Sequence, residues 1–372
     1  MAARIDVGTR RQLRVLIVDD SALVRQAIRR LLERASIMVV GECSSGEEAV
    51  QRVATLRPDV ITLDLDMPGL DGLGAIERIM ADHPTPILVV TGEPRYRGLD
   101  AHFAALTRGA IDLVAKPGDD AEGAHLVASI ETAAQVAVVP HVRGAARHRD
   151  RARRHKPTTP MTPVAISRLV DHVNPAAVLI GASTGGPGVV RTLLAALGSG
   201  FPVPVVVAQH MADAFAEGFV RWLGGQVAIR VVEATPGTRV RPGTVYVAVR
   251  GPHLGIASDG VLIGLPGAAA PHRPSIDSLF TSAAASLGPR ALGVLCTGMG
   301  DDGAAGMGAI ASAGGLTIAQ DELSSVVFGM PRAAIELGAA RLVLPVDGIA
   351  RAIRDACRST RNVSRPGGAS DE

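Results

Sequence analysis

Two groups of residues in this 372-residue chain have the types and spacing to do chemistry. The first is carboxylate-rich. Asp19 and Asp20 follow the apolar run RVLIV (14–18), and Asp64 follows DVITL (59–63). Thr91 follows PILVV (86–90), and Lys116-Pro117 follows IDLVA (111–115). Carboxylates brought together repel one another and suit a hard divalent cation, with Mg²⁺ the natural candidate. A nearby ammonium and hydroxyl then suit a phosphoryl group carried on one carboxylate. Taken singly, Asp20 or Asp71 reads as a helix cap or a solvated loop residue. A whole set falling at the ends of apolar runs is much harder to explain that way.

The second group is nucleophilic. Gly181-Ala182-Ser183-Thr184-Gly185 fits G-x-S-x-G, in which small neighbours expose a serine on a sharp strand-to-helix turn. Alone the pattern is weak, because a phosphate loop or a helix cap looks similar. A serine nucleophile needs a base within hydrogen-bond reach. His210 ends the run VPVVVAQ and is the leading candidate, with His253 and His272 as rivals after strand-like segments. A third segment, ALGVLCTGMGDDGAAG, enters a glycine-rich turn. Its Gly298-x-Gly300-x-x-Gly303 matches a dinucleotide fingerprint, with Asp321 about 20 residues on where a ribose-binding acid belongs. Against that reading, Asp301 and Asp302 would set two negative charges where a pyrophosphate must bind. A carboxylate there is better suited to orienting a histidine. Cys296, inside the apolar run, reads as a buried side chain. The order Ser183, His210, Asp302 departs from the Ser, Asp, His order of α/β-hydrolases.

The elements that must position these residues alternate. Up to about residue 138, five short apolar runs are separated by amphipathic stretches such as ALVRQAIRRLLER and GLGAIERIMAD, which predicts a parallel, doubly wound sheet. From residue 174 the alternation resumes with AAVLIGAS, PVPVVVAQH, TVYVAV, ALGVLCTG and LTIAQ as strands. Helices are expected after Ser183, Asp213, Ser275, Asp302 and Pro331. Residues 242–260, with close-set turns, suggest an antiparallel edge. The expected fold is therefore α/β, with two doubly wound parallel-sheet domains. Residues 12–137 and 174–360 form the domains, 138–173 a basic Pro/Arg-rich linker, and 361–372 a disordered tail.

Composition agrees with two packed cores, since 47% hydrophobic residues exclude global disorder. Aromatics at 2% argue against a stacking platform for single-stranded nucleic acid. Residues 141–156 carry seven Arg or Lys against one Asp, without aromatic interleaving and with Pro157, Pro160 and Pro163 close behind. A solvated linker is the expected reading of that run, and no nucleic-acid partner is expected. Cys43, Cys296 and Cys357 are odd in number and widely spaced, which fits a reducing compartment. No signal peptide or membrane-spanning run is present in the sequence, so a cytoplasmic protein without membrane insertion is expected.

The pocket residues, together with D-x-x-M-P beginning at Asp64 and the Lys116-Pro117 pair, resemble the receiver domain of two-component response regulators, a flavodoxin-like fold. The resemblance implies that Asp64 is phosphorylated by a sensory histidine kinase. It further implies that Asp19, Asp20 and Asp64 hold Mg²⁺, and that Thr91 and Lys116 contact the phosphoryl oxygens. Asp66 is not at the acceptor position. Receivers usually carry Tyr or Phe three residues before the Lys; here it is Leu113.

IGASTGG, QHM, HRPSID, TGMGDDG and VVFGMPRAA resemble the catalytic domain of chemotaxis-type protein-glutamate methylesterases and glutaminases. That implies Ser183 as nucleophile, His210 as general base and Asp302 as the orienting carboxylate. Met299 would supply an oxyanion N–H and Thr184 would assist it. The implied reaction is hydrolysis of glutamyl methyl esters on the cytoplasmic helices of chemoreceptors, with deamidation of selected Gln, without a cofactor for the hydrolysis. Phosphorylation of Asp64 is expected to raise activity, and a monomer is expected.

Overall fold

The computed structural model describes residues 12–92, 99–136, 169–170, 173–266 and 273–358. His272, the tail expected at 361–372, and the linker expected at 138–173 apart from Leu169, Val170 and Val173 lie outside the described residues. The described residues fall into two compact units, one around each large sheet.

The first sheet holds β1 (Arg14–Val18), β2 (Met38–Cys43), β3 (Val60–Leu63), β4 (Ile87–Thr91) and β5 (Asp112–Ala115). All are parallel, in the order β2-β1-β3-β4-β5. The chain runs outward from β1 to β2 and then returns to β3 on the other side, so the sheet reverses between β1 and β3. A crevice opens at such a reversal beyond the carboxyl ends of the strands. Helices α1 (Ala22–Arg34), α2 (Gly46–Leu56), α3 (Gly72–Asp82), α4 (Leu99–Thr107) and α5 (Asp120–Ala133) connect the strands. Their starts are written locally. Ser45, Asp71 and Asp119 accept the backbone N–H groups of Glu48, Gly74 and Glu122, satisfying donors that a first helical turn leaves unpaired. Asp71 is thus a cap, as its sequence position allows, whereas the N-cap of α1 is Ser21 and not Asp20.

The second sheet has seven parallel strands in the order β14-β13-β12-β6-β7-β9-β8. They are β6 (Ala177–Ala182), β7 (Val205–Gln209), β8 (Arg230–Glu233), β9 (Thr244–Ala248), β12 (Ala291–Leu295), β13 (Leu316–Gln320) and β14 (Leu342–Leu344). The reversal here lies between β6 and β12. Helices α6 (Gly186–Leu197), α7 (Asp213–Gln226), α8 (Ile276–Leu287), α9 (Ala304–Ser312), α10 (Met330–Glu336) and α11 (Val346–Ala356) complete the unit. Ile276, Leu279, Phe280 and Ala283 of α8 are buried in one apolar cluster with Leu295 of β12, Met307 and Ile310. Such a face is what holds a helix of this length in place, since propensity alone leaves it marginal.

The structure corrects the expected antiparallel edge. β9 lies inside the parallel sheet with four of its five residues buried, because it has neighbours on both sides. The antiparallel pairing is a separate two-stranded sheet of β10 (His253–Ile256) and β11 (Leu262–Leu265), closed by a turn at Gly260 with φ +80°. Strands β8 and β14 and helix α11 were not anticipated.

Gly303 just before α9 has φ +95°, and a Cβ there would come within 2.6 Å of Ile276 and Leu295. Gly303→Ala is therefore expected to destabilise the second unit by about 2 kcal/mol or more, through both the left-handed backbone and overpacking. Chemical denaturation followed by the single Trp222 signal checks this.

Candidate active site and phosphoacceptor pocket

In the first unit, the expected residues do converge. Asp19 and Asp64, next to β1 and β3, are buried, and Asp20 is exposed. Carboxylate oxygens of the three lie within 4.8 Å of one another. Lys116 Nζ sits 2.7 Å from Asp64 Oδ2 and 2.8 Å from Asp19 Oδ2. Burial raises the Asp19 pKa above its usual range even though Lys116 opposes the shift. Burial likewise favours an uncharged Lys116, but its bonds to Asp19 and Asp64 outweigh this and raise its pKa. Three hard-oxygen donors facing one ammonium leave negative charge in excess, which is the donor chemistry of a Mg²⁺ site. Thr91 is buried at the end of β4, where its carbonyl accepts the Lys116 N–H at 2.8 Å. Asp66 is exposed, and Leu113 is half-buried on β5.

Sequence reasoning missed Arg25. Its guanidinium donates to the carbonyls of Asp19 at 2.7 Å and Asp20 at 3.1 Å, and pairs with Glu42 at 3.1 Å. The clamp fixes the β1–α1 turn that carries two of the carboxylates.

In the second unit, Ser183 leaves β6 half-buried, and its N–H donates to Thr297 O at 3.0 Å. Its role is not that of a helix cap, since the N-cap of α6 is Gly185 with φ +74°. β6 and β7 are neighbours with Ala182 opposite Gln209, and the His210 N–H donates to Ala182 O at 3.0 Å. Ser183 and His210 are thus the next residues at one sheet edge. His210 Nε2 lies 2.8 Å from Asp302 Oδ2. That oxygen also accepts the Ile276 N–H at 2.8 Å, while Oδ1 accepts the Asp277 N–H at 2.9 Å and the Ser275 hydroxyl at 3.2 Å. Burial alone would raise the Asp302 pKa, but the bonds from His210, Asp277 and Ile276 outweigh it and lower the value to about 2. Asp301 is exposed.

His253 pairs with Ser275, whose hydroxyl contacts the same carboxylate. It is buried on β10, and its Nδ1 accepts the backbone N–H of Ser275 at 3.1 Å. The Ser275 hydroxyl, however, caps α8 through Ser278 and contacts Asp302.

The oxyanion candidates border the serine turn. A Cβ at Gly298 would lie 2.6 Å from Ser183 Cβ, which places Met299 next to the nucleophile candidate. Thr184 O accepts the Thr297 hydroxyl at 3.0 Å. The Thr297 N–H is in turn held by Gln320 Oε1 at 2.8 Å. Asp321 caps its own loop, accepting from Ser324 N–H at 2.9 Å and its hydroxyl at 2.6 Å, and does not serve as the acid of a dinucleotide site. Cys296 is fully buried, and burial pushes its thiol up to about 12, which excludes a thiolate nucleophile.

A phosphoacceptor-type pocket on one sheet and a Ser/His/Asp cluster on the other define a response regulator with a hydrolase output. The comparisons agree. Residues 15–128 match the response regulator receiver domain family, and residues 178–353 match the CheB methylesterase family. The chain is 41% identical to protein-glutamate methylesterase/protein-glutamine glutaminase 2 of Anaeromyxobacter dehalogenans, over 94% of this chain and 99% of that protein. It is 42% identical to the corresponding protein of Symbiobacterium thermophilum, over 92% and 96%. The crystal structure of the Thermotoga maritima CheB methylesterase catalytic domain is 36% identical with a TM-score of 0.47, covering 49% of this chain and 99% of that one. The chain belongs to the protein-glutamate methylesterase/protein-glutamine glutaminase family, with a receiver domain as its regulator.

The lowered Asp302 pKa has a direct consequence for stability. The carboxylate is bound more tightly folded than unfolded, so its contribution of about 2 kcal/mol is complete above about pH 4 and is lost as pH falls through about 2. Comparing the unfolding free energies of wild type and Asp302→Asn over that range should show the difference shrinking as pH falls.

Proposed function

We propose that Ser183 is the nucleophile, His210 the general base and Asp302 the carboxylate that orients it. The observation that carries this is the 2.8 Å bond from His210 Nε2 to an ionised Asp302, at the strand end beside the Ser183 turn. With Nε2–H donating to Asp302, Nδ1 takes the Ser183 proton as Oγ attacks the carbonyl of a glutamyl methyl ester. The oxyanion is met by the Met299 N–H with help from Thr184. His210 returns the proton to the departing methoxide, giving methanol, and a water activated by the same base hydrolyses the acyl-serine. A Gln side chain follows the same route with ammonia as leaving group. No metal or cofactor enters the hydrolysis.

Ser275 with His253 is the second reading, favoured by the contact of Ser275 with both His253 and Asp302. Two features weigh against it. The group of Ser275 that meets His253 is its N–H and not its hydroxyl, and both residues are buried away from a protein substrate.

In the receiver, Asp64 accepts a phosphoryl group from a sensory histidine kinase, and Lys116 and Thr91 then bind its oxygens. Mg²⁺ held by Asp19, Asp20 and Asp64 would neutralise the charge that builds during transfer. The substrate is a methylated helix of a chemoreceptor's cytoplasmic region. A cytoplasmic site of action is supported by the burial of Cys43, Cys296 and Cys357, which lie far apart in the sequence. Among the described residues, no helix is long and apolar enough to cross a membrane.

Methanol release from a methylated receptor fragment tests the assignment. Ser183→Ala and His210→Ala should each lower turnover by about a thousandfold or more, with Ser275→Ala and His253→Ala far milder. Asp302→Asn should be much more damaging than Asp301→Asn. The reverse ranking of the two serines would install Ser275 as nucleophile.

Regulation separates by a different measurement. A small phosphodonor with Mg²⁺ should raise methanol release, and Asp64→Ala or chelation with EDTA should remove that stimulation. EDTA should leave the unstimulated rate unchanged, because only the receiver uses the cation.

A further inference from the structure

Gln209, the last residue of β7, is 1% exposed and forms a bridge that the reaction itself does not call for. Its side-chain amide nitrogen lies 3.0 Å from the Ser183 carbonyl oxygen and 2.9 Å from that of His210. Two carbonyl acceptors on one side fix the amide's orientation, since an oxygen placed there would face two others. Both N–H bonds of one side chain are therefore spent on the peptide groups that follow the nucleophile candidate and the base candidate. Gln209 Oε1 is buried with no hydrogen-bond partner among the described residues. An unpaired buried acceptor is costly and rare, so the amide is retained for what its donors do. The slot is also reserved for it. A Cβ at Gly186 would collide with this amide, and the Gly186 N–H is the second donor to the Ser183 carbonyl, at 2.7 Å.

We propose that Gln209 is a positioning residue of the hydrolase site, a brace that sets the Ser183 turn against His210. This rests on the Ser183–His210 assignment above. The brace acts on the approach of Oγ to the histidine and on nothing that touches substrate. Its loss therefore falls on kcat and spares KM.

The test uses the full-length protein and methanol release from a methylated receptor fragment. Gln209→Met keeps the length and loses both donors. It should lower kcat by about ten- to a hundredfold with KM within about twofold, per folded molecule judged by circular dichroism and thermal melting. Gln209→Glu should be comparably poor when ionised. Burial raises the pKa of such a carboxyl, and its protonated form recovers one of the two donations. The ratio of Gln209→Glu to wild-type kcat should therefore rise as pH falls, while the Gln209→Met ratio stays flat. A merely structural role would lower stability without producing that pH-dependent ratio. A Gln209→Met enzyme within about twofold of wild-type kcat, a loss confined to KM, or a flat Gln209→Glu ratio would each overturn the proposal. Should Gln209→Met fail to fold, the Gln209→Glu ratio decides alone. Ser183→Ala is measured in parallel: if it retains turnover, the triad assignment has failed and the brace falls with it, whereas a dead Ser183→Ala enzyme leaves the Gln209 variants to decide the brace alone.

Discussion

Much of the second unit depends on one buried charge. Asp302 is ionised inside the protein, where an unpaired carboxylate would cost several kcal/mol. It is paid for by the first turn of α8, whose N–H groups at Ile276 and Asp277 have no partners of their own within the helix. Each side removes the other's penalty, and the helix dipole adds to the attraction. The exchange runs both ways. Asp277, in the first turn of α8, accepts the Gly306 N–H of α9 at 2.6 Å, so each helix start is capped by a carboxylate next to the other. Burial, with Asp302 and Asp301 nearby, raises the Asp277 pKa against the opposing Gly306 bond. This mutual capping ties the glycine-rich turn after β12 to α8 and leaves one edge of Asp302 for His210.

The two sheets meet the same topological rule with different electrostatics. Both gather their polar residues at a reversal of strand order, beyond the carboxyl ends of the strands. In the first unit the carboxylates Asp19 and Asp64 are balanced by a side chain, Lys116, reaching from β5. On the proposed role of Asp64, a flexible ammonium can shift when a phosphoryl group arrives there, which suits a pocket whose charge changes. In the second unit the balancing donors are backbone N–H groups fixed in a helix. A rigid frame suits a carboxylate bonded to one histidine.

What was legible in the sequence follows from how each feature is encoded. Asp19, Asp64, Thr91, Lys116, Ser183 and His210 each sit directly after an apolar run, so strand periodicity and one chemical side chain sufficed to place them. Asp302 was legible through the repulsion its charge would exert on a phosphate. The clamp around it was not, because backbone donors leave no mark in a sequence. Gln209 is one polar residue at the end of a strand, and Arg25 one of several arginines on an amphipathic helix, so neither type nor spacing marks them out. β14 spans three residues with Val343 partly exposed, too short for an alternating pattern to register. The hairpin of β10 and β11 was read as a sheet edge because closely spaced turns announce antiparallel pairing without saying which sheet it joins.

If Ser183 is the nucleophile and His210 its base, as proposed, the pairing of His210 with Asp302 through Nε2 favours placing the two on neighbouring strands. Nε2 is the ring nitrogen farther from the main chain, so it can reach a carboxylate delivered by the long turn after β12. On the proposed assignment the base is Nδ1, which lies close to the histidine's own backbone. A nucleophile serving Nδ1 must therefore approach near the end of β7 itself. An adjacent strand in register brings it there. β6 is that strand, with Ala182 opposite Gln209 and the His210 N–H bonded to Ala182 O. Choice of tautomer, strand order and register are thus one constraint. On that assignment, inserting a strand between β6 and β7, or slipping their register by two residues, would separate the base from its serine.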